Sequence, residues 1–245
     1  MSNTTDRADR VLIARGVFES RTAAQAAIAA GKVKVAGRVL TKPSEKIALD
    51  AKIEAEPEHP WVSRAALKLA HALDVFEINP KGLNCLDIGA STGGFTEVLL
   101  SRGAASVVAV DVGRDQLHPR LQGHDRLRSL EATDARSLTA EMVGQPPELL
   151  VCDASFISLH KLLLVPLSLA AADADLVTLF KPQFEVGRAH IGKGGIVQDT
   201  AVAARAEAAF VTWLQEQGWN VEARTDSPIK GGDGNAERLI YARRV

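Results

Sequence analysis

From residue 83 onward the sequence alternates short, β-rich apolar runs with helix-like ones, and each apolar run ends on an ionisable residue. The apolar runs cover 83–87, 106–111, 128–134, 149–153 and 176–181, with helical stretches at 95–102, 138–143 and 159–172. This alternation predicts an α/β fold built on a doubly wound, Rossmann-like parallel sheet with helices on both faces. A helix over 201–217 and a strand pair over 219–225 and 238–243 would close it. In open sheets of this kind a ligand sits at the carboxyl ends of the strands, where Asp87, Asp111, Asp134, Asp153 and Lys181 fall. Ionisable groups at several tips add little to a core, so they mark the candidate site.

The first strand runs into Asp87-Ile88-Gly89-Ala90-Ser91-Thr92-Gly93-Gly94-Phe95. Small residues let a backbone approach a ligand closely, as in nucleotide-binding turns. Ser91 stands where the dinucleotide fingerprint has its second glycine, and Asp87 would repel a pyrophosphate but suit a cation. Asp111, 24 residues on, can accept both hydrogen bonds of a ribose diol, and Asp134 could accept an adenine amino group. Adenine, ribose and a cationic amino-acid tail together describe S-adenosylmethionine. The candidate cofactor set is therefore Asp87, Gly89, Ala90, Ser91, Gly93, Gly94, Phe95, Asp111 and Asp134.

The net charge of −1 hides an asymmetry: residues 7–46 hold nine basic and three acidic side chains, so +6 is concentrated in one short module. In it, 10–14 predicts a short helix. Thr22 with Gln25 predicts a capping box for a second helix over 23–30, and 32–40 predicts a hairpin about Ala36-Gly37. Arg10, Leu12, Gly16, Ser20-Arg21, Ala24, Ile28, Gly31-Lys32-Val33 and Val35-Ala36-Gly37 resemble the alpha-L RNA-binding domain first described in protein four of the small ribosomal subunit. The resemblance implies a small α+β module over residues 6–56 that docks on structured RNA, through Arg10, Arg21, Lys32, Lys34 and Arg38.

Residues 57–60 predict a linker, with Trp61-Val62 anchoring it to a second domain over 61–245. Ser63 is expected to cap a helix to Phe76, with Leu69, Leu73 and Phe76 on its core stripe and Arg64, Lys68 and His71 on another face. The alpha-L module followed by D-I-G-A-S-T-G-G-F-T, C-D-A-S-F-I-S and F-K-P-Q-F-E is similar to the TlyA family over nearly the whole chain. Its members were first named hemolysins and are ribosomal RNA (cytidine-2′-O)-methyltransferases with an FtsJ-like catalytic domain. The resemblance implies the S-adenosylmethionine-dependent methyltransferase fold and a Lys-Asp-Lys-Glu tetrad at Lys68, Asp153, Lys181 and Glu237. It also implies ribosomal RNA or a ribosomal subunit as partner, and the expected state on RNA is a monomer. A 2′-hydroxyl is a poor nucleophile with a proton to lose, and Lys181 is the candidate receiver, Asp153 positioning the lysines and Glu237 holding Lys181 or the ribose. Lys68 and the two carboxylates act on Lys181 in opposite senses, leaving proton acceptor and orienting ammonium both open. The glycine-rich, basic stretch 187–199 suggests a lid, with Arg188, His190 and Lys193 meeting phosphates, and 231–235 a loop delivering Glu237.

Cys85 and Cys152 sit in apolar strands rather than at metal-ligand spacing, so the expectation is buried thiols in a reducing cytoplasm and no metal. The most apolar stretch, 162–180, is broken by Pro166, Asp173 and Asp175, so no membrane span and no secretion signal are expected, which counts against a cytolysin. An RNA-binding assembly factor would keep the basic module without four ionisable strand-tip residues, and a base methyltransferase would share the donor site but not the target atom.

Overall fold

The computed structural model describes residues 4–18, 20–56, 59–231 and 234–245. Glu19, Pro57, Glu58, Gly232 and Asp233, which entered the charge balance, the linker and the second glycine loop, lie outside them. The chain divides into two compact units, residues 1–60 and 61–245.

In the first unit, β1 (Thr5–Arg7) leads into α1 (Ala8–Ala14) and α2 (Arg21–Ala29), followed by β2 (Val33–Val35), β3 (Arg38–Val39), β4 (Lys46–Ala48) and β5 (Ile53–Ala55). The β2–β3 hairpin forms as its alternation predicts, β5 adds to its other side, and β4 pairs antiparallel with β1. Leu12, Ala24, Ala27, Ile28, Val33, Leu40 and Ile47 are buried between helices and strands. The capping box is displaced. Ser20, not Thr22, caps α2 by accepting from Ala23 N–H (3.2 Å), because Gln25 turns inward and donates to Asp9 (2.9 Å). Asp9 is fully buried and also accepts from Arg7 (3.0 Å) and Arg21 (2.9 Å), which hold its carboxyl far below the usual range.

The second unit contains α3 (Ala65–Val75), β6 (Asn84–Ile88), α4 (Gly94–Ser101), β7 (Ser106–Val110), β8 (Leu127–Leu130), α5 (Ala140–Val143), β9 (Leu149–Cys152), α6 (Leu159–Leu162), α7 (Leu164–Ser168), β10 (Asp175–Phe180), α8 (Thr200–Glu216), β11 (Trp219–Asp226) and β12 (Arg238–Arg244). Its seven-stranded sheet has the order β11-β12-β10-β9-β6-β7-β8, parallel from β10 to β8 and antiparallel at β12 and β11. Strand order reverses between β6 and β9, which places the crevice above their carboxyl ends. Alternation sorts the side chains. Leu150, Cys152, Leu176 and Phe180 join Phe210 and Leu214 of α8 on one face, while Leu149, Val151, Val177, Leu179 and Leu239 join Leu69 and Leu73 of α3 and Val98 and Leu99 of α4 on the other.

Three expected elements are shorter. The third sheet strand stops at Leu130 rather than Asp134, on an edge where Arg128 and Ser129 are exposed. The 159–172 run splits into α6 and α7, with Pro166, which has no N–H to give, lying within α7. Helix α5 starts only at Ala140, after Thr139, whose hydroxyl accepts from Met142 N–H (3.3 Å).

Candidate active site

Period-two alternation assembles the reactive set. Asp153 lies two residues past Val151, Lys181 two past Leu179 and Glu237 two before Leu239, so all three project to the α3–α4 face, where Lys68 descends from α3. Strand β12 runs antiparallel to β10, and Phe180 is opposite Arg238, which brings the start of β12 to the tips of the parallel strands. Lys68 is 6% exposed, Lys181 7% and Glu237 4%. Lys68 Nζ donates to Glu237 Oε2 (2.6 Å) and lies 3.8 Å from Asp153 Oδ2. Lys181 Nζ forms an ion pair with Asp153 Oδ1 at 2.6 Å, without the angle of a hydrogen bond, and donates to Ser155 Oγ (2.9 Å). The result is a chain of alternating charge, Glu237, Lys68, Asp153, Lys181. Glu237 therefore holds Lys68, where the sequence suggested Lys181 or the ribose.

These four side chains line a cavity of about 300 Å³ with Ser63, Ala90, Gly94, Phe95, Gln183 and Phe184. A second cavity, about 620 Å³, is lined by Asp111, Val112, Gly113, Gln116, Asp134 and Arg136. The two share Gly89, Ser91, Asp153, Ser155 and Phe156. Gly89 requires its missing side chain twice over: its φ is +80°, and a Cβ would stand 3.0 Å from Ala154 Cα on the neighbouring strand tip. Asp111 accepts from Ser91 N–H (2.8 Å) and Gly113 N–H (2.7 Å), so it ties the glycine loop to its own while facing the larger cavity.

Three expected cofactor residues differ from their sequence roles. Asp87 lies within β6, is completely buried and lines neither cavity. Its Oδ2 accepts from Thr96 (2.6 Å), its Oδ1 has no partner, and burial pushes its pKa up to about 7. Gly93 likewise lines neither cavity. Asp134 does face the larger one, but not as a strand tip: it caps the turn 135–137 and grips the Arg136 guanidinium through both oxygens, which lowers its pKa.

Arg188, His190 and Lys193 are exposed on two single 3₁₀ turns. This stretch is tethered to the Glu237 loop, since the buried Asn235 amide accepts from Val197 N–H (3.0 Å) and donates to Gly195 O (2.9 Å). In the basic module Arg10, Arg21, Lys32, Lys34 and Arg38 are all exposed. Arg10 faces Asp6 (3.9 Å), Lys32 faces Glu56 (3.7 Å) and Arg38 pairs with Glu45. Sequence reasoning passed over Ser155, Phe156, Gln183, Phe184 and Asn235. The first two follow Asp153 at the same strand tip, which was the available signal. Phe156 is 90% exposed at φ +68° and its ring lies 5.3 Å from that of Phe184.

Family models agree with this geometry: residues 61–244 match the FtsJ-like methyltransferase and residues 6–53 the S4 domain. The 16S/23S rRNA (cytidine-2′-O)-methyltransferase TlyA of Mycobacterium tuberculosis is 45% identical over 97% of this chain and 89% of its own. The chain belongs to the TlyA family. Hemolysin A of Brachyspira hyodysenteriae is 39% identical over 96% of this chain and 98% of its own. Among solved structures, a hemolysin-named protein from Streptococcus thermophilus superposes with a TM-score of 0.77 at 36% identity, covering 100% of this chain and 90% of that one. Despite the hemolysin name that some TlyA relatives carry, no helix among the described residues is long and apolar enough to cross a membrane.

Proposed function

We propose that this TlyA protein transfers the methyl group of S-adenosylmethionine to the 2′-hydroxyl of a cytidine in ribosomal RNA. The observation that carries the proposal is the junction of the two cavities: a pocket with a diol acceptor, Asp111, opens through Gly89, Ser91 and Asp153 onto a pocket lined by two lysines and two carboxylates. The donor fits the larger pocket on the chain's own terms. Asp111 can accept from a ribose diol, Gly89 leaves room for close approach, and Val112, 71% exposed, offers an apolar surface to a flat base. Bound there, S-adenosylmethionine supplies an already activated methyl group on its sulfonium.

The protein's contribution is then alignment and proton handling. Lys181, held by Asp153 and Ser155 at the shared wall, meets the ribose hydroxyl and receives or orients its proton. Lys68 is fully engaged with Glu237 and Asp153 and keeps the Asp153 carboxylate in place. Phe156, exposed at the junction, provides a face on which a base turned out of its helix can stack. The S4 module supplies the RNA-docking charge, and the curated M. tuberculosis relative supports both the cytidine and the ribosomal substrate. The test is transfer from tritiated donor to ribosomal subunits isolated from cells lacking the gene, followed by mapping of the label. Label on a cytidine 2′-oxygen is expected, and label on a base, or none, would refute the proposal.

A further inference from the structure

We propose that Glu131, which lines neither cavity, is the positioning residue that sets donor affinity by clamping the turn over residues 113–117; the inference rests on the donor assignment above. Glu131 follows the last residue of β8, and its carboxylate accepts three successive backbone N–H groups: Asp115 to Oε2 (3.0 Å), and Gln116 (2.8 Å) and Leu117 (3.0 Å) to Oε1. Those donors hold its carboxyl below the usual carboxylate range. Two non-glycine residues at this crossing have left-handed backbones, Asp115 at φ +53° and Ala132 at φ +52°. Such strain persists where surrounding contacts over-determine it. Here the contacts are the Glu131 fork and the backbone bonds from Ala132 N–H to Gly113 O (2.7 Å) and Thr133 N–H to Asp111 O (2.9 Å).

The clamped turn touches the donor pocket on two sides. Gln116 lies across Gly113, where a Cβ would stand 2.3 Å from its Nε2, and both residues line the pocket beside Asp111. Leu117 lies under the glycine loop, its Cδ1 3.0 Å from where a Gly93 Cβ would stand, and His118 N–H donates to Thr92 O (3.2 Å). Loosening the turn therefore disturbs both the wall beside the ribose acceptor, formed by Gly113 and Gln116, and the support of the glycine loop, whose Gly89 and Ser91 line the junction of the two cavities. Among the described residues the tetrad side chains are held by one another and by Ser155, and no hydrogen bond or ion pair joins them to the clamped turn.

The experiment compares full-length wild type, Glu131→Gln, Glu131→Ala and Asp111→Ala by calorimetry with S-adenosylhomocysteine and with 5′-methylthioadenosine, alongside steady-state kinetics. Glu131→Ala should weaken both ligands by the same factor, about tenfold or more, because three charge-assisted acceptor contacts are lost together. Glu131→Gln keeps one carbonyl oxygen and should fall between; being isosteric, it also carries the test should the alanine variant fail to fold. At saturating donor, kcat should stay within about twofold while KM for the donor rises, a split that general loosening of the domain would not give. Glu131 variants that bind both ligands like wild type, or that lose only the homocysteine-bearing one, would overturn the clamp. Unchanged affinity in Asp111→Ala as well would overturn the donor assignment and the clamp with it.

Discussion

Lys181 and Asp111 serve different partners, so their loss separates two measurements. Lys181 is held by Asp153 and Ser155 at the junction and lines the smaller cavity, not the larger one that Asp111 faces. Lys181→Ala should leave donor Kd nearly unchanged and abolish methyl transfer; turnover within a few-fold of wild type would remove it from the reaction. Asp111→Ala should weaken the donor by roughly 1.5–3 kcal/mol, the scale of lost charge-assisted hydrogen bonds. Asp87 makes a prediction about pH. Folding raises its pKa from 3.8 to about 7, chiefly by burial. Between those values the folded chain holds a proton that the unfolded chain has released, so stability falls as pH rises through the interval and the loss is complete above about pH 7. Asp87→Asn is neutral throughout and should escape it. Its stability gain over wild type in urea should grow between pH 5 and pH 8 to the order of a few kcal/mol, and a gap independent of pH would contradict the burial account.

At the scale of elements, the sheet was legible because its central strands are short continuous apolar runs set between helix-like stretches, as strands buried on both faces must be. The ends of those runs put Asp153 and Lys181 at the strand tips correctly. That signal fails where another force decides. An acid at the end of an apolar run suggests that Asp87 faces a ligand, but β6 continues through Ile88, and Thr96 of α4 takes up the carboxylate. The run over 128–134 suggests a strand tip at Asp134, but the edge strand, with Arg128 and Ser129 exposed, has too little to bury beyond Leu130. That Glu237 pairs with Lys68 rather than Lys181 is a choice among residues 169 and 56 positions apart, which no local pattern encodes. The loop that delivers Glu237 can be tested by crowding it. A Cβ on Gly231 would stand 2.6 Å from Glu237 Oε1, and Gly231 has no left-handed backbone to strain. Gly231→Ala should displace the carboxylate from Lys68 and lower turnover by about tenfold or more, with donor Kd unchanged. Wild-type turnover in that variant would show that Glu237 has room to shift without consequence.

For the whole molecule, charge and chemistry are divided between the two units. Residues 61–245 sum to −3 and residues 1–60 to +2, with the +6 window inside the latter. Removing residues 1–60 should leave a domain that binds donor but methylates RNA poorly, because a negative fragment does not concentrate a polyanion. RNA affinity of the full chain should fall linearly on a log–log plot against salt with a slope of several units, and that of the fragment much less steeply. Equal methylation and equal slopes would show that the S4 module is not the docking device.

The antiparallel course of β12 also sets an order in time. Glu237 is translated after every other member of the site, so a nascent chain holds its basic module and its glycine loop long before the charge chain on Lys68 can close. A messenger cut short between codon 60, where the basic module is complete, and codon 237 would yield a product that keeps the docking charge and lacks the last member of the charge chain, and such a fragment would act as a competitor of the intact enzyme rather than as a weaker version of it.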